Sequence, residues 1–354
     1  VSAPVIERVR PAQHASGLRP VPMLLAVVAV LGAMTAGLLV GAADLPGRAI
    51  LLELLDRLPG IHVDSGLTPL QVNVLLQIRL PRVLAAALVG GLLAVAGAGY
   101  QGVFRNPLAD PYLLGAAAGA GVGATATIVL LPGDAAATVP VAAFVGALAG
   151  VALAYGLGSV AGGHGTATLL LAGVAVSAFL GAVQTFLMQR DAQELQRIYS
   201  WVLGGVAAAD GPRLWTVLPY AAVSVVVLLL HGRLLDVLGV GDEEATALGV
   251  SARRVRILVL AAASLATAVA VAVGGLIGFV GIVVPHVVRR LAGVSYRAVL
   301  PLSLLAGAAF LVLADVLART AVAPGELPLG VVTAFVGGPF FVLVLRSMRG
   351  RGGV

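Results

Sequence analysis

The chain has 354 residues, of which 60% are hydrophobic and 11% charged, with a formal net charge of +6. Soluble domains carry roughly 25% charged residues, and a sphere of this size would need far more polar surface to face water, so a soluble globular fold is excluded and most of the exterior must face hydrocarbon. Cysteine is absent and all 22 residues counted as Lys+Arg are arginine, which removes a Walker A lysine, a Schiff-base lysine, disulfides, thiolate zinc sites and iron–sulfur ligation together.

Taken in chain order, a tail over 1–21 precedes apolar stretches of membrane-spanning length. The spans are expected at 22–42, 83–103, 112–131, 139–160 and 169–188, then at 214–230, 255–273, 276–291, 299–318 and 330–345. A transmembrane domain thus covers 22–347, and a short tail runs over 348–354. The predicted fold is an all-α polytopic transmembrane helical bundle of about ten helices. Glycine, 46 of 354 residues, suits close helix packing in lipid.

An even number of spans puts both termini on one side. Fourteen of the 22 arginines but only six of the 16 acids fall on that side, so the positive-inside bias makes both termini cytoplasmic. The arginines punctuate apolar runs instead of forming a basic face with aromatics, which argues against a nucleic-acid partner. The alternative of a signal peptide at the N-terminus fits poorly, because the first apolar run is too long for an h-region and its removal would leave nine spans. His14, His62, His164, His231 and His286 are dispersed with no paired spacing; neither a metal, a cofactor nor an enzymatic site is expected.

Two segments stand apart from the spans. A short interfacial helix is expected over 47–58 on the outside. On the inside, 234–256 is the longest charged stretch between spans, where Asp242 can cap a helix whose first turn holds Glu243 and Glu244, Gly249 can end it, and Ser251 can cap the next. A compact helical pair beneath the bilayer follows, with a solvated loop as the alternative. Asn106 before Pro107 and Asp110 before Pro111 read as two helix starts in one tight loop. Pro285, preceded by Gly274, Gly275, Gly278 and Gly281, can kink the eighth span and makes it a candidate moving element. Gln184 and Thr185, polar at membrane depth, face a cavity or another helix; the cavity reading is preferred.

Three stretches occur together: Arg79-Leu80-Pro81-Arg82, Phe104-Arg105-Asn106-Pro107-Leu108-Ala109-Asp110-Pro111, and Gly278-Phe279-Val280-Gly281 continuing through Pro285 and His286 to Arg289. With Gly241-Asp242-Glu243-Glu244-Ala245, Leu248-Gly249, Asp315 with Arg319, and Glu326-Leu327-Pro328-Leu329-Gly330, the chain resembles the FecCD family of permeases. These are the membrane subunits of ABC importers for ferric siderophores, haem and vitamin B12.

The resemblance implies an inner (plasma) membrane permease working with two ATP-binding cassette ATPase subunits, an extracytoplasmic substrate-binding protein and a second copy of itself or a close paralogue. It implies coupling to the ATPases through Asp242, Glu243, Glu244, Ala245, Leu248, Gly249, Arg253 and Arg254. Docking of the binding protein falls to Arg79, Arg82 and Arg319, through contacts expected to be partly exposed and salt-sensitive, with interfacial snorkelling or an Arg319–Asp315 pair as the plain alternatives. Asn106, Leu108, Thr166 and Thr168 match a cytoplasmic gate. The family's pathway lies on a two-fold axis to which the fifth and tenth helices contribute. Gln184 and Thr185 are on the fifth.

The expected activity is ATP-driven import of an iron chelate, ferric siderophore or haem, with cobalamin as the alternative cargo. A secondary transporter would need a buried acidic ion site; Asp315 is the only tempting acid and sits near the outer end of its span. A purely structural anchor has no use for the cytoplasmic helical pair.

Overall fold

The computed structural model describes residues 20–41, 45–131, 135–160, 166–191 and 193–349. Arg8, Arg10, His14, Arg19 and His164 lie outside that set, as does the end of the C-terminal tail. The helices are α1 (Pro20–Leu39), α2 (Gly47–Asp56), α3 (Pro69–Asn73), α4 (Leu80–Phe104), α5 (Ala116–Leu130), α6 (Ala135–Val160), α7 (Thr166–Arg190), α8 (Leu195–Val202), α9 (Gly211–Leu230), α10 (Gly232–Val240), α11 (Asp242–Ala247), α12 (Ala252–Gly274), α13 (Val280–Ala292), α14 (Tyr296–Thr320) and α15 (Leu329–Arg349). Among the described residues there is no strand. The ten expected spans fall on α1, α4, α5, α6, α7, α9, α12, α13, α14 and α15, and the expected interfacial helix is α2. Seven of the apolar helices are long enough to cross a membrane; α5 and the Leu329–Val344 part of α15 are apolar but shorter, and α13 has 13 residues. Ten is therefore an approximate number of full spans.

Position in the bundle follows from side-chain size. Every residue of α4 from Val89 to Phe104 is buried, because α4 is rich in Gly and Ala and lets α12, α13 and α14 pack onto it. A Cβ on Gly90 would stand 2.2 Å from the Gly307 carbonyl oxygen, and one on Gly97 would stand 2.1 Å from that of Gly281. Backbones thus meet directly, gaining the dispersion contacts that replace hydrophobic driving force in lipid. α1, α6 and α9 instead turn large apolar side chains outward, including Leu24, Val141 and Trp215, as lipid contact requires.

The eighth span differs from its expected 276–291 extent. α12 stops at Gly274, Gly275 takes φ +67°, and Phe279 takes φ +68° immediately before α13 begins at Val280. The glycines expected to serve packing also break the helix. The freed backbone is paired with two other breaks: the Gly205 N–H donates to Gly274 O at 2.8 Å, Leu329 N–H to Gly204 O at 3.1 Å and Gly330 N–H to Leu203 O at 3.0 Å. The Tyr112 hydroxyl donates to Ile277 O and accepts from Ile277 N–H, both at 3.1 Å. Non-helical backbone at membrane depth is tolerated only when satisfied in this way or lining a cavity.

Replacing Gly97 with Val drives a side chain into Gly281 and should lower the unfolding temperature sharply in detergent, an overpacking cost of about 1–3 kcal/mol or more. Gly156→Ala on α6, where nothing lies within 4 Å, should leave it essentially unchanged.

Candidate functional site

At the outer end, α3 and α4 form one continuous helix, Pro69–Phe104, started by a capping box between Thr68 and Gln71. Pro81 has no N–H to donate and crowds the carbonyl four residues back. The helix widens just before it into a π-turn, Val74–Arg79, in which the Leu80 N–H reaches Leu75 O. This turn presents Arg79 and Arg82.

The three expected docking arginines converge there, but in a buried network. Arg79, 4% exposed, donates to Leu38 O at 2.9 Å. Arg319, 8% exposed, donates to Gly37 O at 2.7 Å, and its Nε lies 3.2 Å from Asp315. Both guanidiniums therefore satisfy carbonyls at the C-terminus of α1, where positive charge also opposes the helix dipole. Asp315, 1% exposed, accepts from Arg82 Nε at 3.0 Å, and Arg82 in turn holds Glu326 through two parallel bonds of 2.9 Å. The expectation of partly exposed arginines is corrected for Arg79 and Arg319; the network reaches the surface at the Arg82–Glu326 edge. The Arg319–Asp315 pair is present. Asp315 is neutralised by two arginines, so it does not offer the free buried carboxylate of an ion-coupled transporter.

The Arg82 hydrogen bonds hold the Glu326 carboxyl below the usual carboxylate range against the opposing effect of burial. A lowered folded-state value means that this pair's contribution is complete at neutral pH and is lost as acid takes the pH down through that value.

A cavity of about 810 Å³ opens beside this network, lined by Arg82, Arg197, Arg213, Asp315 and Glu326 and floored by the paired breaks around Gly204 and Gly275. A second, apolar hollow of about 560 Å³ lies against α15, between Leu203, Phe279 and Phe335. Among the described residues no group of three His, Asp or Glu could hold a metal.

At the inner end the expected helices form as α11 and the start of α12, with α10 leading into them and with one correction. Gly241, not Asp242, occupies the N-cap. Asp242 is the first helical residue, and its carboxylate accepts from Arg256 at 2.7 Å and from Arg105. Glu243 and Glu244 are exposed in the first turn. Gly249, at φ +78°, closes the helix with the Val250 N–H on Ala245 O and its own on Thr246 O. Ala245 is fully buried, whereas Leu248 is 68% exposed; Arg253 and Arg254 are exposed beside it. Ser251 stands at the cap of α12 without a side-chain bond.

Only one of the two expected helix starts after α4 is real. Asp110 accepts from the Tyr112 N–H at 2.8 Å and caps the 3₁₀ turn Pro111–Leu114. Asn106 accepts from the Leu108 N–H at 2.9 Å and makes a turn without a helix. α7 packs on that 3₁₀ turn through Gly173, where a Cβ would stand 2.1 Å from Leu113 O; Thr166 begins α7 and Thr168 is half-buried, while the Thr166 side chain lies outside the described residues. Gln184 is half-buried; its amide donates to Thr125 at 3.2 Å beside Gly121, tying α7 to α5. Thr185 is exposed and bonds Gly181 O.

The sequence reading missed Gln101. Its amide donates to Gly281 O at 3.0 Å and Ala109 O at 3.4 Å, and its oxygen accepts from Arg289, joining α4, the 105–110 loop and α13. A lone amide inside an apolar run was the available signal.

Asp315→Ala, which strands two guanidiniums, should cost about 3–5 kcal/mol by unfolding in detergent. Glu326→Gln, at a half-exposed position, should cost about 1 kcal/mol or less.

The FecCD transport family model matches residues 25–347. The cobalamin import system permease of Halobacterium salinarum is 45% identical over 274 residues, covering 77% of this chain and 73% of the relative. The Fe(3+)-citrate import system permease of Bacillus subtilis is 37% identical over 339 residues, covering 96% and 98%. A solved inward-facing structure described as a metal-chelate type ABC transporter superposes with a TM-score of 0.81 at 28% identity, covering 93% of this chain and all of the other. With the helical architecture and the motif geometry in agreement, this multi-pass membrane protein belongs to the FecCD transport family.

Proposed function

We propose that the chain is the membrane-spanning subunit of a binding-protein-dependent ABC importer that carries an iron chelate, a ferric siderophore or haem, with cobalamin as the second reading. Relatives named for cobalamin and for ferric citrate resemble it to a similar degree, so the class of bulky metal chelate is better supported than either cargo.

The observation that carries this reading is α11. Leu248 is displayed to solvent on a short helix locked at its end by Gly249 and at its start by two arginines, with Glu243, Glu244, Arg253 and Arg254 around it. A lysine-free chain has no Walker A lysine of its own. A stiff protrusion with an apolar tip and a charged rim is what a nucleotide-hydrolysing partner can grip and push. Two ATPase subunits, a second copy of this chain and a binding protein on the outer face complete the assembly.

Docking outside is assigned to the arginine network, with Arg82 at its accessible edge and Arg79 and Arg319 fixing the α1 end behind it. Asn106, Leu108, Thr166 and Thr168 are assigned to the inner gate. The exposed Phe179 and Phe186 of α7 and Phe335 of α15 are assigned to the face shared with the second copy, and Gln184 and Thr185 to the pathway.

Leu248→Asp tests the reading directly. A side chain already in water should leave the unfolding temperature of the isolated chain unchanged within about 0.5 kcal/mol. Its loss from a docking surface should weaken co-purification with the ATPase subunits at least tenfold. Undiminished co-purification would place the ATPase contact elsewhere.

A further inference from the structure

We propose that Asp242 is a positioning residue that transmits movement of α11 to the inner loop over 105–110, through its ion pair with Arg105. This rests on the reading that α11 docks the ATPase, and it adds the route by which that movement reaches the gate.

The Asp242 carboxylate holds two guanidiniums from different helices. Arg256, in the first turn of α12, donates at 2.7 Å, and Arg105 donates to the same oxygen. Arg105 is the C-cap of α4 and one of two non-glycine residues with positive φ among the described residues, at +48°. The left-handed conformation lets the chain turn away from α4 there. Partial burial pushes the Asp242 carboxyl up, but the hydrogen bond and charge of Arg256 and the charge of Arg105 outweigh it and hold the group below the usual range. The carboxylate is thus fully ionised at neutral pH, and the link is electrostatic.

What Arg105 is attached to makes the link mechanical. The loop behind it is closed on itself: the Asn106 N–H donates to Gln101 O at 3.2 Å, the Ala109 N–H to Asn106 O at 3.1 Å and the Leu108 N–H to Asn106 Oδ1 at 2.9 Å. Gln101 then joins the loop at Ala109 to α13 at Gly281 and Arg289. A displacement of α11 drags one rigid turn, not a slack connection, and the turn is tied to the helix that carries Pro285. The chain of contacts is continuous from α11 to α13, and its ionic step is the one a surface substitution can cut without damaging the core. Arg105 and Asp242 are 38% and 45% exposed, so removing either charge leaves the fold intact.

The test uses the absence of cysteine. Leu108→Cys is introduced as the single thiol of this chain, in the full complex with the ATPase subunits. Its labelling by fluorescein maleimide is timed with and without magnesium ATP plus vanadate, the labelled subunit being resolved by gel. The expected response of this single-thiol parent is a change in labelling rate of about fivefold or more on trapping. Arg105→Gln and Asp242→Asn should each abolish most of that response with the ATPase still bound, and the double variant should match either single one. An unchanged response in the single variants, losses that add in the double, or no response of the thiol in the parent would overturn the relay while leaving ATPase docking standing. Loss of the ATPase from Asp242→Asn would make Asp242 an interface residue and also overturn the relay. Full ATPase binding by Leu248→Asp would instead sink the docking reading itself, and the relay with it.

Discussion

The constraint on which this structure depends is that hydrocarbon offers no partners. Every peptide group and every charge held in the bundle must be satisfied by the protein. Most of the chain meets this with uninterrupted helix. Where the helix stops, at Leu203–Gly205, Gly274–Phe279 and Pro328–Gly330, the breaks bond to one another and to the Tyr112 hydroxyl. The three irregular segments are therefore one structural unit, and they form the floor of the outer cavity. Irregular backbone is placed where it borders a cavity, the setting in which it is tolerated at membrane depth.

The same constraint governs the arginines. Arg79, Arg82 and Arg319 stand at one end of the bundle, and their partners are the terminal carbonyls of α1, one buried aspartate and one half-exposed glutamate. This clamp fixes α1 against α4 and α14 and leaves a single edge facing outward. On the proposed docking role, a partner arriving from outside would meet a preformed electrostatic surface, which favours encounter and register more than raw affinity. At the inner end the logic is reversed: the charges around α11 are solvated, the helix is short, and its stiffness comes from end-capping and from Asp242. Charge is thus buried and paired at the outer end and exposed at the inner end.

Helix packing supplies the rest of the behaviour. Direct backbone contact at Gly90–Gly307 and Gly97–Gly281 makes α4, α13 and α14 a tightly apposed core, whereas α7 meets α5 through side chains, with Val176 and Leu180 against Ala118 and Val122 and Gln184 bonded to Thr125. Elements at the centre have little room to shift individually. Movement at the 105–110 loop is therefore passed on to α13 through Gln101, whose amide bonds both.

The sequence by itself determined the solvent, the order of the apolar helices and the family, because hydropathy and ordered motifs are properties of the chain read locally. It also located α2 and α11, whose turn chemistry at Gly249 is written in consecutive residues. Only the tertiary structure decided what each polar side chain does. Asp242 looked like a cap and is an ion-pair hub, since Arg105 and Arg256 reach it from other helices. Gln184 finds Thr125 on another helix, beside Gly121. Arg79 and Arg319 looked exposed and are buried against the end of α1. The eighth span was expected to begin at Leu276, yet the backbone stays non-helical up to Phe279, where the Tyr112 hydroxyl and the Gly204–Gly205 break can satisfy it. In each case the deciding partner lies far away in the chain, and local pattern carries no record of it.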